Sequence, residues 1–179
     1  MTLTIGTPAP DFTLMDQHGS PVTLSSFKGQ KNVVILFYPF AFSGICTGEL
    51  CALRDDLAAF QNDDVQLLAI SCDPMYAQRA FAEQEGYKFP VLADFWPHGG
   101  AAQAYGVFDD ARGCATRGTF IVDKNGTLVW QISPALAQRG LNSQPDGRSR
   151  RLVISPVRTG PERRFVGSGL GWAPIRAAV

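Results

Sequence analysis

The chain is predicted to fold as a three-layer α/β domain, and three observations carry that reading. Residues 32–38 and 65–71 are continuous runs of β-branched and other apolar residues, the composition of strands buried on both faces. Between them the apolar period changes to that of a helix. After the second run, Asp73-Pro74 reads as a helix start, a capping acid followed by proline at the first helical position. Strands alternating with helices imply a sheet with helices packed on it.

In chain order, Asp11-Phe12-Thr13-Leu14 and Val22-Thr23-Leu24 alternate apolar and polar residues around the turn composition Asp16-Gln17-His18-Gly19. They predict an N-terminal hairpin. The run at 32–38 predicts a central strand, ended by Pro39. From 45 to 61, Leu50, Leu53, Leu57 and Phe60 recur at helical spacing while Asp55, Asp56 and Gln61 fall elsewhere. Asn62-Asp63-Asp64 closes that helix, and a buried strand follows. The helix opened by Asp73-Pro74 runs to about Gln84, before Gly86. Val91-Leu92-Ala93 predicts a short strand and 101–105 a brief helix. Residues 118–123 and 127–132 flank Lys124-Asn125-Gly126, the composition of a hairpin with an Asn-Gly turn.

The length of 179 residues suits one domain with a real core. Hydrophobic residues at 45% and charged residues at 18% are ordinary for a globular chain, and no run of 18 apolar residues suggests a membrane span. The N-terminus carries no basic segment followed by a long apolar one, so a cytoplasmic protein is expected. The net charge of zero hides an asymmetry. Residues 1–133 hold 8 Lys+Arg and 14 Asp+Glu, whereas residues 134–179 hold 8 Arg and 2 acids, with 6 Gly and 5 Pro. We therefore expect a domain over 1–133 and a poorly ordered Arg/Gly/Pro-rich segment over 134–179. A specific nucleic-acid role for the basic segment is not expected.

The four cysteines, Cys46, Cys51, Cys72 and Cys114, include no pair at the two-residue spacing of zinc knuckles or thioredoxin redox sites. With two histidines, a zinc site is not expected. Small buried hydrophobes account for most such cysteines, and Cys72 and Cys114 are read that way. Cys46 is different in its setting. The segment Tyr38-Pro39-Phe40-Ala41-Phe42-Ser43-Gly44-Ile45-Cys46 lies where a central strand hands over to a helix. Ligands of open α/β sheets bind beyond the C-terminal ends of strands. Helix N-termini offer unpaired N–H groups and partial positive charge, which favour a thiolate. Against this, Cys46 falls four residues before Leu50, on the apolar stripe, where a core residue would also fall.

Pro39, Ser43 and Cys46 together resemble the peroxiredoxin active-site signature, proline-x-x-x-(Thr/Ser)-x-x-cysteine, without a gap. Arg117-Gly118-Thr119-Phe120-Ile121-Val122-Asp123 resembles the stretch that carries the family's active-site arginine at the start of a late strand. The resemblance covers residues 1 to about 133 and implies a thioredoxin-like fold with an N-terminal β-hairpin extension. Within the family, Phe95-Trp96-Pro97-His98-Gly99 and Gln103-Ala104-Tyr105-Gly106-Val107-Phe108 are most similar to the alkyl hydroperoxide reductase E subgroup. His98 is read as a structural or interface residue.

The resemblance implies a thiol peroxidase of hydrogen peroxide and organic hydroperoxides, needing no metal or haem. Cys46 would attack the peroxide and become a sulfenic acid. Arg117 and backbone N–H groups would stabilise the developing charge. Ser43 would donate or relay a hydrogen bond, Pro39 would shield the site, and Glu49, about one turn beyond Cys46, is read either as a residue that positions Arg side chains or as a solvated helix residue. Cys51 is a candidate resolving residue, because its spacing of five from Cys46 resembles the Q-type, or bacterioferritin-comigratory, peroxiredoxins. An intact helix would hold such a pair about 8–9 Å apart at Cα, too far for a disulfide, so resolution there needs unwinding. The subgroup resemblance implies instead an external reductant: thioredoxin, mycoredoxin or a low-molecular-weight thiol. A homodimer is a further expectation. The competing readings are a peroxide-sensing protein without efficient turnover and a thiol–disulfide oxidoreductase.

The family normally ends in an amphipathic helix packed on the sheet. Here Ser133-Pro134-Ala135-Leu136-Ala137-Gln138-Arg139-Gly140 would supply only a turn or two.

Overall fold

The computed structural model describes residues 3–55 and 61–133. The expected C-terminal segment 134–179, and Leu57 and Phe60 of the first predicted helix, lie outside the described residues.

Among the described residues, nine strands and three α-helices follow in the predicted alternation. β1 (Thr13–Met15) and β2 (Pro21–Thr23) form the N-terminal hairpin, and a 3₁₀ turn, Leu24–Phe27, leads on from it. Then come β3 (Asn32–Phe37), α1 (Gly44–Asp55), β4 (Val65–Ser71), α2 (Met75–Glu85), β5 (Val91–Ala93) and α3 (Gly100–Ala104). The last strands are β6 (Phe108–Asp109), β7 (Cys114–Ala115), β8 (Gly118–Val122) and β9 (Leu128–Ile132). Seven strands make one mixed sheet in the order β2-β1-β5-β4-β3-β8-β9. β3, β4 and β5 are parallel, and β8 runs antiparallel to β3.

The path β3-α1-β4-α2-β5 steps twice in the same direction across the sheet. Right-handed crossovers therefore put α1 and α2 on the same face. Their contacts agree: Arg54 Nη1 of α1 donates to the Glu85 carbonyl of α2 at 2.6 Å. The alternation of a strand sends neighbouring side chains to opposite faces. Tyr38 thus meets Phe81 of α2, at 6.3 Å between ring centroids, while Phe37 meets Tyr105 and Phe120 on the other side, at 5.4 and 5.8 Å. That second face holds the main core: Val33, Ile35, Phe37, Leu68, Ile70, Leu92, Ala102, Tyr105 and Phe120 are all at most 1% exposed. The domain is three-layered, as the alternation predicts.

Three details differ from the sequence reading. Asp73 does not cap α2. The helix begins at Met75 behind Pro74, with no side-chain cap, because the Asp73 carboxylate is engaged by Ala41 N–H and the Ser71 hydroxyl. The β8–β9 turn is not the two-residue form that needs two positive φ values. Only Gly126 has one, φ 80°, and the Asp123 carboxylate accepts from Asn125 N and Thr127 N at 2.9 Å each. Finally, residues 6–9 run along the start of β9, with Gly6 N donating to the Leu128 carbonyl and Leu128 N to that of Thr7. No periodicity in so short a segment announces it.

Candidate active site

β3 is a buried run of Val, Ile, Leu and Phe that proline ends. Beyond it the chain crosses residues 38–43 and enters α1 at Gly44. Pro39 is buried, and Phe40 and Phe42 are exposed. Phe42 has φ 60°, a left-handed conformation that bulky residues rarely adopt. Its ring rests on Phe81 of α2, 5.0 Å between centroids. The Ser43 carbonyl accepts from Thr47 N at 2.9 Å and from Thr47 Oγ1 at 3.0 Å, closing the first turn of the helix. The N–H groups of Gly44, Ile45 and Cys46 precede that bond and have no acceptor within the helix.

Cys46 lies in this turn and is fully buried. The other half of the site comes from a distant segment. Gly118, the first residue of β8, stands opposite Phe37, the last residue of β3. That register delivers Arg117 beside the strand-to-helix junction. Arg117 Nη2 donates to Cys46 Sγ at 3.4 Å. Arg117 Nε lies 3.0 Å from each oxygen of Glu49, which stands on α1 three residues beyond Cys46. Both partners are largely shielded, with 26% of the Arg117 side chain and 17% of Glu49 exposed. An ion pair so shielded is screened less by salt than a surface pair.

The structure therefore brings together Cys46, Arg117 and Glu49, with Pro39 buried within the loop that leads to α1. Ser43 is adjacent but enters through its carbonyl; its hydroxyl makes no hydrogen bond among the described residues. Cys51 stands elsewhere. Its thiol faces Glu85 Oε2 at 3.5 Å and the Tyr87 hydroxyl at 3.8 Å, by the C-terminal end of α2. All four cysteines are free thiols. Burial pushes the Cys72 thiol up to about 12, and burial likewise raises Cys114, so both stay protonated at neutral pH. His98 lies 2.7 Å from the Gly113 carbonyl and 3.3 Å from that of Phe95, tying the loop before α3 to the loop before β7. Among the described residues, no group of three or more His, Cys, Asp and Glu side chains could hold a metal ion.

Sequence reasoning passed over the polar network behind the loop: Tyr38, Ser71, Asp73 and Gln78. Asp73 was read as a cap, and nothing in the spacing of the other three links them.

Residues 5–131 match the model of the AhpC/TSA family. The chain is 53% identical over 126 residues to alkyl hydroperoxide reductase E of Mycobacterium tuberculosis, covering 70% of this chain and 82% of that protein. It is 38% identical over 127 residues to a chloroplastic peroxiredoxin Q of Sedum lineare, covering 70% and 67% respectively. Among solved structures, peroxidoxin BcpB of Mycobacterium tuberculosis is similar with a TM-score of 0.67 and 33% identity, covering 78% of this chain and 94% of that one.

Proposed function

The chain belongs to the AhpC/TSA family of peroxiredoxins and is a thiol-dependent peroxidase; on that premise we propose that Cys46 is its attacking sulfur and Arg117 the cation that serves it. The observation that carries the reading is the 3.4 Å contact from Arg117 Nη2 to Cys46 Sγ, at a helix N-terminus whose first N–H groups have no acceptor within the helix.

The step follows from that geometry. Cys46 attacks as a thiolate and takes the terminal oxygen of the hydroperoxide. A sulfur–oxygen bond forms and the oxygen–oxygen bond breaks. Sulfur is oxidised to the sulfenic acid, and the departing oxygen leaves as hydroxide or alkoxide and takes up a proton. Negative charge passes from sulfur to the departing oxygen. Arg117 and the N–H groups of the first turn are fixed donors to that moving charge, the arrangement in which such donors are most effective. Glu49 holds Arg117 through Nε and leaves Nη2 for the sulfur. Ser43 contributes its hydroxyl to the bound peroxide, and buried Pro39 excludes water from one side. The exposed edge of Arg117 is the side from which a small hydroperoxide reaches the sulfur.

Reduction of the sulfenic acid is assigned to an external thiol. Thioredoxin, mycoredoxin and low-molecular-weight thiols fit the same chemistry: two thiols become a disulfide and the sulfenic oxygen leaves as water. Cys51 supports this assignment, because it is engaged with Glu85 and Tyr87 on a continuous helix. It resolves Cys46 only when α1 unwinds. Hydrogen peroxide and organic hydroperoxides are the proposed substrates, the cytoplasm the proposed compartment, and a homodimer the proposed assembly. A sensor without turnover is not favoured, since the similar proteins are named reductases and peroxiredoxins.

The test is Cys46→Ser. It should abolish peroxide consumption with the circular dichroism spectrum unchanged. Retention of more than a small fraction of the activity would remove Cys46 from the mechanism.

A further inference from the structure

The loop that carries Pro39 is held at both ends by one hydrogen-bonded chain. At one end, the Tyr38 hydroxyl donates to Gln78 Oε1 of α2. Gln78 Nε2 donates to Ser71 Oγ, at the end of β4, at 2.6 Å. Ser71 Oγ donates to Asp73 Oδ2, also at 2.6 Å. The same Asp73 oxygen accepts from Ala41 N–H at 2.8 Å, which closes the chain on the other end of the loop. Tyr38, Ser71 and Gln78 are at most 1% exposed. Buried polar chains of this kind are rigid when every member is satisfied, and here every member has a partner. Burial holds the Tyr38 phenol well above its ordinary range, so it remains a donor at neutral pH.

Resting on the assignment of Cys46 as the attacking sulfur, we propose that Asp73 is a positioning residue for the peroxide reaction. Its carboxylate anchors Ala41 and so fixes the 38–41 loop beside the first turn of α1. Asp73 touches neither Cys46 nor Arg117 through any hydrogen bond of the structure; it acts through the loop. Its role is that of an acceptor of two hydrogen bonds on one oxygen. An amide oxygen has the same two lone pairs, so Asp73→Asn should preserve the anchor and Asp73→Ala should remove it.

Two rates on the full-length protein separate positioning from general damage. One is the stopped-flow rate of Cys46 oxidation by hydrogen peroxide. The other is alkylation of Cys46 by iodoacetamide, mapped by peptide mass spectrometry, which needs a reactive sulfur but not aligned peroxide donors. Displacing an aligned site costs up to about 100-fold, and we expect Asp73→Ala to lower the peroxide rate about ten-fold or more. Alkylation should change less than about two-fold, and Asp73→Asn should stay within about three-fold of the wild type on both rates. Ser71→Ala, which keeps the Ala41 bond and loses one anchor of Asp73, should show a smaller fall of the same selective kind. It serves as the second test where Asp73→Ala fails to fold. Both rates falling together in these variants, an unchanged peroxide rate in both, or Asp73→Asn as impaired as Asp73→Ala would overturn the proposal. If peroxide does not oxidise Cys46 in the wild type, the assignment of the attacking sulfur falls instead, independently of Asp73.

Discussion

Glu49 holds Arg117 by the nitrogen that Cys46 does not use. The carboxylate takes Nε with both oxygens at 3.0 Å, and Nη2 is left to reach the sulfur at 3.4 Å. The guanidinium is thus shared between a carboxylate and a thiol sulfur without competition. A lysine, a point charge with no rigid fork, has no equivalent arrangement.

Arg117→Ala should therefore slow oxidation of Cys46 by about 100-fold or more, the usual cost of one preorganised donor. Arg117→Lys should recover part of that loss, and Glu49→Gln should cost less than Arg117→Ala. Stopped-flow rates for the three variants check the order. A Glu49→Gln rate as slow as that of Arg117→Ala would mean that the carboxylate does more than hold the arginine.

Mass spectrometry after one equivalent of peroxide should find a sulfenic acid at Cys46 rather than a Cys46–Cys51 disulfide. Cys51→Ser should still turn over with a low-molecular-weight thiol. Both expectations rest on the engagement of Cys51 with Glu85 and Tyr87. A disulfide formed rapidly in native buffer would show that α1 opens readily.

Cys72 should make stability fall on the alkaline side. Burial, followed by the nearby Asp94 charge, holds its thiol at about 12 against an ordinary 9.0. The folded state keeps a proton that the unfolded chain releases. The resulting stability is complete below about pH 9 and is lost as the pH rises toward about 12. The slope from this one group is at most about 1.4 kcal/mol per pH unit. Urea denaturation from about pH 8 to about pH 10.5 should show a shallower decline in Cys72→Ala than in the wild type. Equal slopes would mean that other groups govern the alkaline limb.

Gly99→Ala should destabilise the fold. Gly99 has φ 68°, and a Cβ there would stand 2.1 Å from the Phe108 ring. Overpacking of this kind costs typically about 1–3 kcal/mol. Thermal denaturation checks the direction, and a melting temperature equal to the wild type would show that the ring swings aside freely.

The order of elements was legible because β3 and β4 are buried on both faces, and such strands read as unbroken apolar runs. Cys46 was legible for a different reason. On periodicity alone it is a core position, and the structure does place it fully buried above Leu50. What distinguished it was its spacing from Pro39 and Ser43, together with the stretch around Arg117. The contact between Cys46 and Arg117 spans 71 positions and depends on the pairing of Phe37 with Gly118, which no local pattern encodes. Asp73 was misread because Asp-Pro is a common helix start. Its carboxylate has a better partner in Ala41 N–H, a group that only the tertiary fold brings near. The small β6–β7 pair was missed because strands of two residues carry no period.

That one rung of the sheet has a consequence for how the enzyme comes into being. Gly118 joins Phe37 only when β8 docks at the sheet, and the chain is made from its N-terminus. A chain emerging from the ribosome displays the thiol of Cys46 more than seventy positions before the arginine that contacts it. During that interval the sulfur lacks its contact with Arg117. On the proposed roles of these two residues, full reactivity toward peroxide would follow closure of the β3–β8 ladder.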